Sequence, residues 1–356
     1  MLQKVATTGV GLENVFNQTL WRIREQRSDR SRLGMEVLMW VSHSKRPLRI
    51  DEFSHALAIK MGTSDLDHEN IPPQDTVLAS CLGLVTVDEE ISTVRLIHYT
   101  LRKYLSLPGI LPNAHHKTLA QSCLTYLNYE KVKRLPANQI SAVGNMPFLE
   151  YSSLYWGNHA KMELSGYVRV LALELLSRYG DHISATLLCD QIQISHPDPL
   201  SHLNLFSYHP FSGLHCASYL GIYELVDYFV REETCDTNQA DCMGFTPLMW
   251  ASLQGNERAV DLLLAWGNAS PNIPGNGGRT PLHLASGEGH EGVVGHLLSH
   301  YCHDNPDLQD SYGQTPLCSA SRNEHAKVVK LLLAKNGISL DQPNSDGRTP
   351  LWWASR

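Results

Sequence analysis

The sequence predicts a mainly α-helical protein, in which a helical region with one short hairpin precedes a solenoid of helical repeats. Two observations predict this fold class. A Thr-Pro-Leu signature followed by Ala-Ser returns every 34 or 35 residues in the second half of the chain. In the first half, apolar residues recur at helical spacing, and two short runs rich in β-branched residues lie close together. With 356 residues, the chain is long enough for two or three domains.

The repeat becomes visible when the second half of the chain is aligned on one recurring leucine. Successive leucines lie 34, 34, 35 and 34 residues apart. They are Leu214, Leu248, Leu282, Leu317 and Leu351. Each of the first four units continues into a second apolar run, such as RAVDLLL or AKVVKLLL. This pattern resembles the ankyrin repeat, with its signature Thr-Pro-Leu-His-x-Ala and its period of about 33 residues. The resemblance covers about residues 206–356 and implies about four full units and a truncated fifth.

The residue types of the signature suit a short helix. Threonine can cap a helix by accepting a hydrogen bond from a free backbone N–H, and proline suits the first helical position because it has no N–H to lose. Glycine after the helix suits a left-handed turn. Ser212 and Gly213 replace Thr-Pro in the first unit, and Glu324 replaces the turn glycine in the fourth. We therefore expect a workable stack with a slightly irregular first unit.

The chain ends with LWWASR, inside the first predicted helix of the fifth unit. A repeat cannot bury its apolar face alone, and terminal repeats are normally polar caps. Trp352 and Trp353 would therefore stand at an open edge of the stack. We expect either that the chain is a fragment or that this edge meets another surface.

The first half of the chain shows the element order of a winged helix. Helices are predicted over residues 12–27, 33–44 and 73–83, and a short extended segment is predicted over 46–50. Asp51 is the predicted N-cap of the helix that follows this segment. LVTV and STVRLIH then read as two strands joined by the acidic turn DEE.

Three stretches of the first half resemble a known context. They are VLMWVSHSKRPLRIDEFSHALAI, LGLVTVDEEISTVRLIHYTLRKYL and PFLEYSSLYWGNHA. Their sequences resemble the region after the NTPase module in fungal NACHT–ankyrin proteins, including the winged helix named for GPI inositol-deacylase. Those proteins are NLR-like signal-transducing ATPases. The resemblance covers about residues 10–200 and implies a structural winged helix between a nucleotide switch and a repeat sensor.

The predicted domain organisation follows from both resemblances. Residues 1–29 are a helical remnant that follows an NTPase module, 30–110 a winged-helix-like domain, 111–205 a helical linker domain and 206–356 the ankyrin repeats. The P-loop itself is absent, because no Gly-Lys pair occurs in the chain. Nucleotide switching is therefore not inferred for this chain alone.

Sequence motifs for catalysis are also absent. The nucleophile elbow Gly-x-Ser-x-Gly does not occur, so we expect no enzyme activity, no catalytic residue and no cofactor. The net charge of −7 gives no general attraction to nucleic acid, and the candidate recognition helix QDTVLASCLG has no basic residue. Three alternatives stay open: a winged-helix nucleic-acid-binding regulator, an accessory adaptor encoded with a biosynthetic gene cluster, and a hydrolase whose catalytic residues are not contiguous in sequence.

One group of side chains has residue types that suit a metal ion, namely His296, His300, Cys302 and His303. The same residues are also expected where the second helix of a repeat ends in a polar loop, so we predict no metal site.

The eight cysteines include no Cys-x-x-Cys pair, and the N-terminus has no apolar signal segment. No window approaches a membrane span. These features predict reduced thiols and a cytoplasmic or nuclear location.

The remaining prediction is a protein-binding surface on the repeats. The ankyrin resemblance implies that a partner binds through the finger tips and the concave face of the first helices. We therefore expect the chain to act as a sensor or scaffold that binds a protein partner of unknown identity. We expect no membrane contact. Mixed aromatic, arginine and polar residues at these positions suit a protein partner. The predicted contact residues are Tyr219, Met243, Phe245, Leu253, Gln254, Asn276, Arg279, Glu288, Tyr312, Gln314, Arg322 and Asn323.

Overall fold

The computed structural model describes residues 9–111, 115–137, 144–195, 211–232, 235–241, 243–300 and 305–355. Within these residues the protein is mainly helical, and its named strands form one two-stranded sheet. The mainly α-helical fold class predicted from the sequence is confirmed. The chain divides into two compact units, Met1–Ala172 and Leu173–Arg356. The division falls inside the predicted linker domain, so the helix at 183–195 belongs to the same unit as the repeats.

The first unit contains the elements predicted for a winged helix. They are α1 (Gly9–Arg24), α2 (Ser28–His43), α3 (Ile50–Ala58), α4 (Gln74–Ser80), β1 (Val85–Asp88), β2 (Thr93–Leu96) and α5 (Tyr99–Leu105). The two strands are antiparallel, with Val85 opposite Leu96. The predicted extended segment also pairs with β2, since the Val94 N–H donates to the Leu48 carbonyl at 2.9 Å. This pairing orders the chain between α2 and α3.

A buried carboxylate fixes the start of α3. Glu52, with its side chain 1% exposed, accepts two hydrogen bonds of 2.7 Å from the Arg46 guanidinium. The same carboxylate accepts a hydrogen bond from the Arg49 N–H at 2.8 Å. Arg49 is therefore the N-cap, and Asp51 lies inside the first turn. The predicted cap at Asp51 is wrong, because the glutamate three residues after the true cap satisfies the free backbone N–H.

Four further helices follow the winged helix: α6 (His115–Leu127), α7 (Glu130–Lys133), α8 (Leu149–Ala160) and α9 (Gly166–Leu176). α6 packs along α8, and α2 packs on α6. Aromatic rings fill this contact, because the ring centroid of Phe148 lies 5.5 Å from that of Trp40 and 5.4 Å from that of Tyr126. All three rings are buried. Edge-on pairs of this kind stabilise the core beyond the area that they bury.

The second unit contains α10 (Ile183–Ser195) and a series of short paired helices. The first helices of the pairs are α11 (Gly213–Leu220), α13 (Pro247–Leu253), α15 (Pro281–Glu288), α17 (Pro316–Arg322) and α19 (Pro350–Ala354). The second helices are α12 (Tyr223–Arg231), α14 (Glu257–Ala265), α16 (Glu291–His300) and α18 (Ala326–Leu333). First helices pack on first helices, and second helices pack on second helices. The repeats therefore stack in two layers.

Each first helix begins where the sequence predicts. The side chains of Thr246, Thr315 and Thr349 accept hydrogen bonds from the backbone N–H three residues later, at 3.2–3.3 Å. Proline holds the first helical position in the four later units. Glu324, the expected exception, takes φ +61°, as the glycines at this turn do. A side chain in this conformation costs roughly 1–2 kcal/mol.

Gly213 replaces proline in the first unit because another backbone occupies the space of a side chain. A Cβ at this position would overlap the Leu176 carbonyl oxygen and would lie 2.9 Å from the Leu176 Cβ. A helix carbonyl cannot turn aside as a long flexible side chain can. The departure from Thr-Pro is therefore a packing requirement between Leu176 and the first repeat.

Gly213→Ala is expected to lower the free energy of unfolding of the second unit by about 1–3 kcal/mol, because the added methyl group overlaps backbone. Gly295→Ala is the matched control, since Gly295 also lies in a helix of this unit and nothing lies within 4 Å of the added Cβ. The control is expected to be neutral or stabilising by about 0.4–1 kcal/mol. Denaturant unfolding measures both changes, and equal stabilities for the two variants would contradict the packing argument.

Candidate protein-binding surface

Each finger that the structure describes is closed by the same two backbone hydrogen bonds. The N–H of the first finger residue donates to the carbonyl of the fifth at 2.9 Å, and the N–H of the fourth donates back to the first at 2.8–2.9 Å. The four fingers run over residues 241–245, 275–279, 310–314 and 344–348. A glycine with φ between +71° and +75° stands fourth in each finger and reverses the chain. The turn fixes where the residues at the tip stand.

In three of the four fingers, a polar side chain at the first position accepts hydrogen bonds from the backbone of the turn. The Oδ1 atoms of Asp241, Asp310 and Asn344 accept hydrogen bonds from the backbone N–H groups two and four residues later, at 2.8–3.1 Å. Asp241 has a further donor, since the Trp250 Nε1–H donates to its Oδ2 at 2.7 Å. Burial raises the pKa of the Asp241 carboxyl, whereas its N–H donors favour the charged form.

Backbone hydrogen bonds also join neighbouring fingers. The Ser311 N–H donates to the Gly277 carbonyl at 2.8 Å, and the Ser345 N–H donates to the Tyr312 carbonyl at 2.9 Å. The second, third and fourth fingers therefore form one joined edge. The backbone of this edge is already ordered before a partner binds, which lowers the entropic cost of binding.

Two histidines tie a first helix to the next finger. The Thr280 N–H donates to His283 Nδ1 at 3.2 Å, and His283 Nε2 lies 3.0 Å from the Gln314 carbonyl oxygen. His215 makes the same kind of contact to the Phe245 carbonyl at 3.1 Å. Burial lowers the pKa of both imidazoles, so both are neutral at neutral pH. The neutral form alone has one acceptor and one donor nitrogen, as these contacts require.

The opposite ends of the first helices are tied by side chains of the next unit. Asn256, His290 and His325 stand just before the second helices of three successive units. Their side-chain nitrogens contact the carbonyl oxygens of Tyr219, Leu253 and Gly287 at 3.1, 3.0 and 2.9 Å. The helix ends that carry several of the predicted contact residues are therefore fixed in place.

The structure places the twelve predicted contact residues at the fingers and helix ends with different exposures. The exposed residues are Asn276, Glu288, Tyr312, Arg322 and Asn323. The half-buried residues are Tyr219, Met243, Leu253, Gln254, Arg279 and Gln314. The Tyr312 ring is 37% exposed, and the Arg279 Nε lies 3.8 Å from the buried Asp310 carboxylate. The binding role of these residues stays a prediction.

Phe245 is the exception, because its ring belongs to the core. It is 7% exposed, and its ring centroid lies 4.9 Å from that of Trp250. The fifth finger residue turns back toward the helices, where the indole of the following helix covers it. Phe245 is therefore removed from the predicted contact surface, since a buried ring cannot offer itself to a partner.

The four side chains considered as metal ligands are not brought together in the described residues, where His300 is an exposed residue at the end of α16. The His296 Nδ1 lies 2.6 Å from an oxygen of the Asp261 carboxylate on the neighbouring second helix. Cys302 and His303 lie outside the described residues. Among the side chains that the structure describes, no group of three or more His, Cys, Asp or Glu is placed to hold a metal ion.

The winged helix and its surroundings were the sequence candidates for a nucleic-acid interface. The Arg46 guanidinium is engaged by the buried Glu52 carboxylate, and Arg102 donates to two carbonyls at the end of α2, at 3.0 and 3.3 Å. α4, the candidate recognition helix, carries Asp75 and no basic residue. Arg46 and Arg102 therefore stabilise the fold.

Within the described ranges, no helix has both the length and the apolar character needed to cross a bilayer.

Asp241→Asn is expected to lower the free energy of unfolding of the second unit by about 1–3 kcal/mol. Asparagine can keep the two backbone bonds, as Asn344 does, but its amide nitrogen then faces the Trp250 N–H, and a buried donor loses its acceptor. Asp310→Asn is the matched control, because it loses only a long contact to a partly exposed Arg279. Denaturant unfolding compares the two variants. Equal losses would show that the indole bond does not matter.

Comparison with known proteins assigns two segments of the chain. The family model described as Ankyrin repeats (3 copies) matches residues 214–305 and 296–356. The family model described as GPI inositol-deacylase, winged helix domain, matches residues 24–113. These matches confirm both parts of the predicted architecture.

Similarity to curated proteins is partial. The chain is 37% identical to Palmitoyltransferase AKR1 of Lachancea kluyveri over 71 residues, which are 20% of this chain and 10% of that protein. It is 28% identical to Putative palmitoyltransferase ZDHHC13 of Danio rerio over 121 residues, which are 34% of this chain and 18% of that protein. The chain thus spans less than a fifth of the length of either relative. What the matches show is a GPI inositol-deacylase-type winged helix domain followed by ankyrin repeats.

Proposed function

We propose that this chain is a non-enzymatic interaction module that binds a partner protein through its ankyrin fingers and the adjacent helix ends. The observation that carries the proposal is the joined edge of the second, third and fourth fingers. This edge holds Asn276, Arg279 and Tyr312 on a fixed backbone. Arginine and aromatic residues on a preorganised surface are common centres of binding energy.

The contacts around the cysteines support a role other than acyl transfer. The two relatives are named palmitoyltransferases, and transfer through a cysteine needs an accessible thiolate. Burial raises the pKa of Cys81 and of Cys216 to about 12, so both remain thiols at neutral pH. Among the cysteines that the structure describes, Cys235 is half-buried and the others are buried. We infer that the likeness to these relatives reflects repeat-mediated binding.

The finer role that we propose is that of the sensor or scaffold part of an NLR-like signalling protein of the cytoplasm. The order of a GPI inositol-deacylase-type winged helix before ankyrin repeats supports this role, because the NACHT–ankyrin resemblance has the same order. Cys81, Cys123 and Cys216 are buried free thiols, which suit a reducing compartment.

The NLR-like role predicts a nucleotide switch encoded upstream of Met1. Sequencing the native transcript through both ends is expected to show an in-frame Gly-x-x-x-x-Gly-Lys-Ser/Thr motif before residue 1, because the NACHT–ankyrin proteins that the sequence resembles join their repeats to a P-loop NTPase. A transcript that begins at Met1 would contradict the NLR-like role and would leave the interaction module as a separate adaptor.

Tyr312→Ala combined with Arg279→Ala is expected to weaken partner capture at least tenfold, because it removes the aromatic and cationic groups of the joined edge. The measurement is capture from a native extract on the immobilised chain, with the bound proteins quantified by mass spectrometry. The melting temperature is expected to stay within about 2 °C of the parent, since both side chains reach solvent.

The matched control is Trp266→Ala combined with Arg231→Ala. This pair is also an aromatic and an arginine, with Trp266 67% exposed and the Arg231 guanidinium 5.8 Å from the ring centroid, but it lies at the ends of second helices. The control is expected to capture the same proteins as the parent. Equal capture by the finger variant and the parent would remove the finger edge as the binding surface.

A further inference from the structure

Four histidines meet where the winged helix contacts the helices that follow it. His43 ends α2, His115 and His116 begin α6, and His159 lies near the end of α8. The ring centroid of His43 lies 4.0 Å from that of His115 and 5.6 Å from that of His116. The centroids of His116 and His159 are 5.4 Å apart. His159 is fully buried and the other three are half-buried, so these four form an imidazole cluster between three helices.

A chain of hydrogen bonds runs through the cluster and fits neutral imidazoles. The Lys45 N–H donates to the Tyr151 hydroxyl at 3.1 Å, and this hydroxyl lies 3.0 Å from His159 Nε2. His159 Nδ1 lies 3.1 Å from His116 Nδ1. The chain is satisfied when Tyr151 donates to Nε2 of His159 and the Nδ1–H of His159 donates to His116. An extra proton on the ring of His159 would oppose the tyrosine proton.

The surroundings of the cluster also oppose positive charge. Burial, followed by the neighbouring His115, lowers the pKa of His43 to about 4. Burial, followed by His116, lowers the pKa of His159 to about 3. Burial and His115 also lower the pKa of His116. The charged groups that act on these imidazoles are the cations Lys45 and Arg102 and the carboxylate of Glu163, and the Arg46 guanidinium lies 5.4 Å from the centroid of the adjoining Tyr151 ring.

The arrangement does not suit a metal ion. Both ring nitrogens of His159 already have partners, and His43 Nδ1 lies 3.2 Å from the Met39 carbonyl and 2.8 Å from the Ser42 hydroxyl. The described residues hold no metal-binding group of His, Cys, Asp or Glu.

We propose that the imidazole cluster is a pH-sensitive joint, which holds α6 and α8 against the end of α2 at neutral pH and releases them on mild acidification. In the released state the imidazoles regain the ordinary pKa of about 6.5. Between about pH 6.5 and about pH 4, these imidazoles therefore bind protons in released molecules but stay neutral in closed molecules. Linkage makes release about tenfold more favourable per pH unit for each proton taken up.

Hydrogen exchange of the full chain tests this joint. Exchange over residues 115–127 and 149–160 is measured by mass spectrometry at pH 6.5 and pH 5.5 and corrected for the intrinsic rate. Acidification is expected to raise the opening equilibrium of both segments at least tenfold. His116→Gln is expected to reduce this rise. His68→Gln, which removes an exposed imidazole outside the cluster, is expected to leave it unchanged.

Either of two results would overturn the proposal: no rise in the parent chain, or an equal rise in the His116→Gln variant. Where that variant does not fold, the parent chain decides the question through imidazole NMR signals of ¹³C-labelled histidine. The cluster is expected to show charged imidazoles only in molecules that have lost protection of α6 and α8. Charged imidazoles in fully protected molecules would refute the joint.

Discussion

The stack of repeats depends on one constraint, which is that a pair of short helices cannot bury its apolar face alone. The recurring leucine shows this directly. Leu214, Leu248, Leu282 and Leu317 are at most 2% exposed, whereas Leu351, at the same position of α19, is 71% exposed. The helix caps are the same at Leu317 and Leu351, so neighbours make the difference. Full burial of a leucine is worth about 1.5–3 kcal/mol. Stability of this unit is therefore a property of contacts between repeats.

Polar ties decide the orientation of the surface that this apolar stack supports. Finger turns and helix ends make hydrogen bonds to the adjacent unit in addition to those within their own unit. His283 joins its helix to the next finger, His290 holds the preceding helix end, and Ser311 joins two tips. These bonds are made by backbone groups and by histidines of the helices, and not by the Tyr312 side chain at the finger tip. A binding surface can then vary in sequence at the tips while the backbone beneath it stays constant.

The sequence predicts what is local and repeated, and it misses what depends on distant segments. The threonine caps, the first-turn prolines and the buried leucines were predictable because each depends on neighbours a few residues away. Phe245 was predicted at a finger tip, but its exposure depends on the ring of Trp250. The reason for Gly213 became visible only with Leu176 in place. The histidines of the imidazole cluster come from three separate helices, so no residue spacing in the sequence predicts the cluster.

The two units differ in how they use buried imidazoles, and this difference makes a local measurement necessary. In the repeats, His215 and His283 are single rings, and each takes its tautomer from a backbone N–H on one side and a carbonyl on the other. Their pKa values are also lowered by burial, so acid weakens the repeats as well. In the cluster, however, each ring is a neighbour of another ring. The first proton then opposes the second, and the loss of closure is shared by α2, α6 and α8. A global melting curve sums both effects, whereas exchange resolved by segment separates the joint from the repeats.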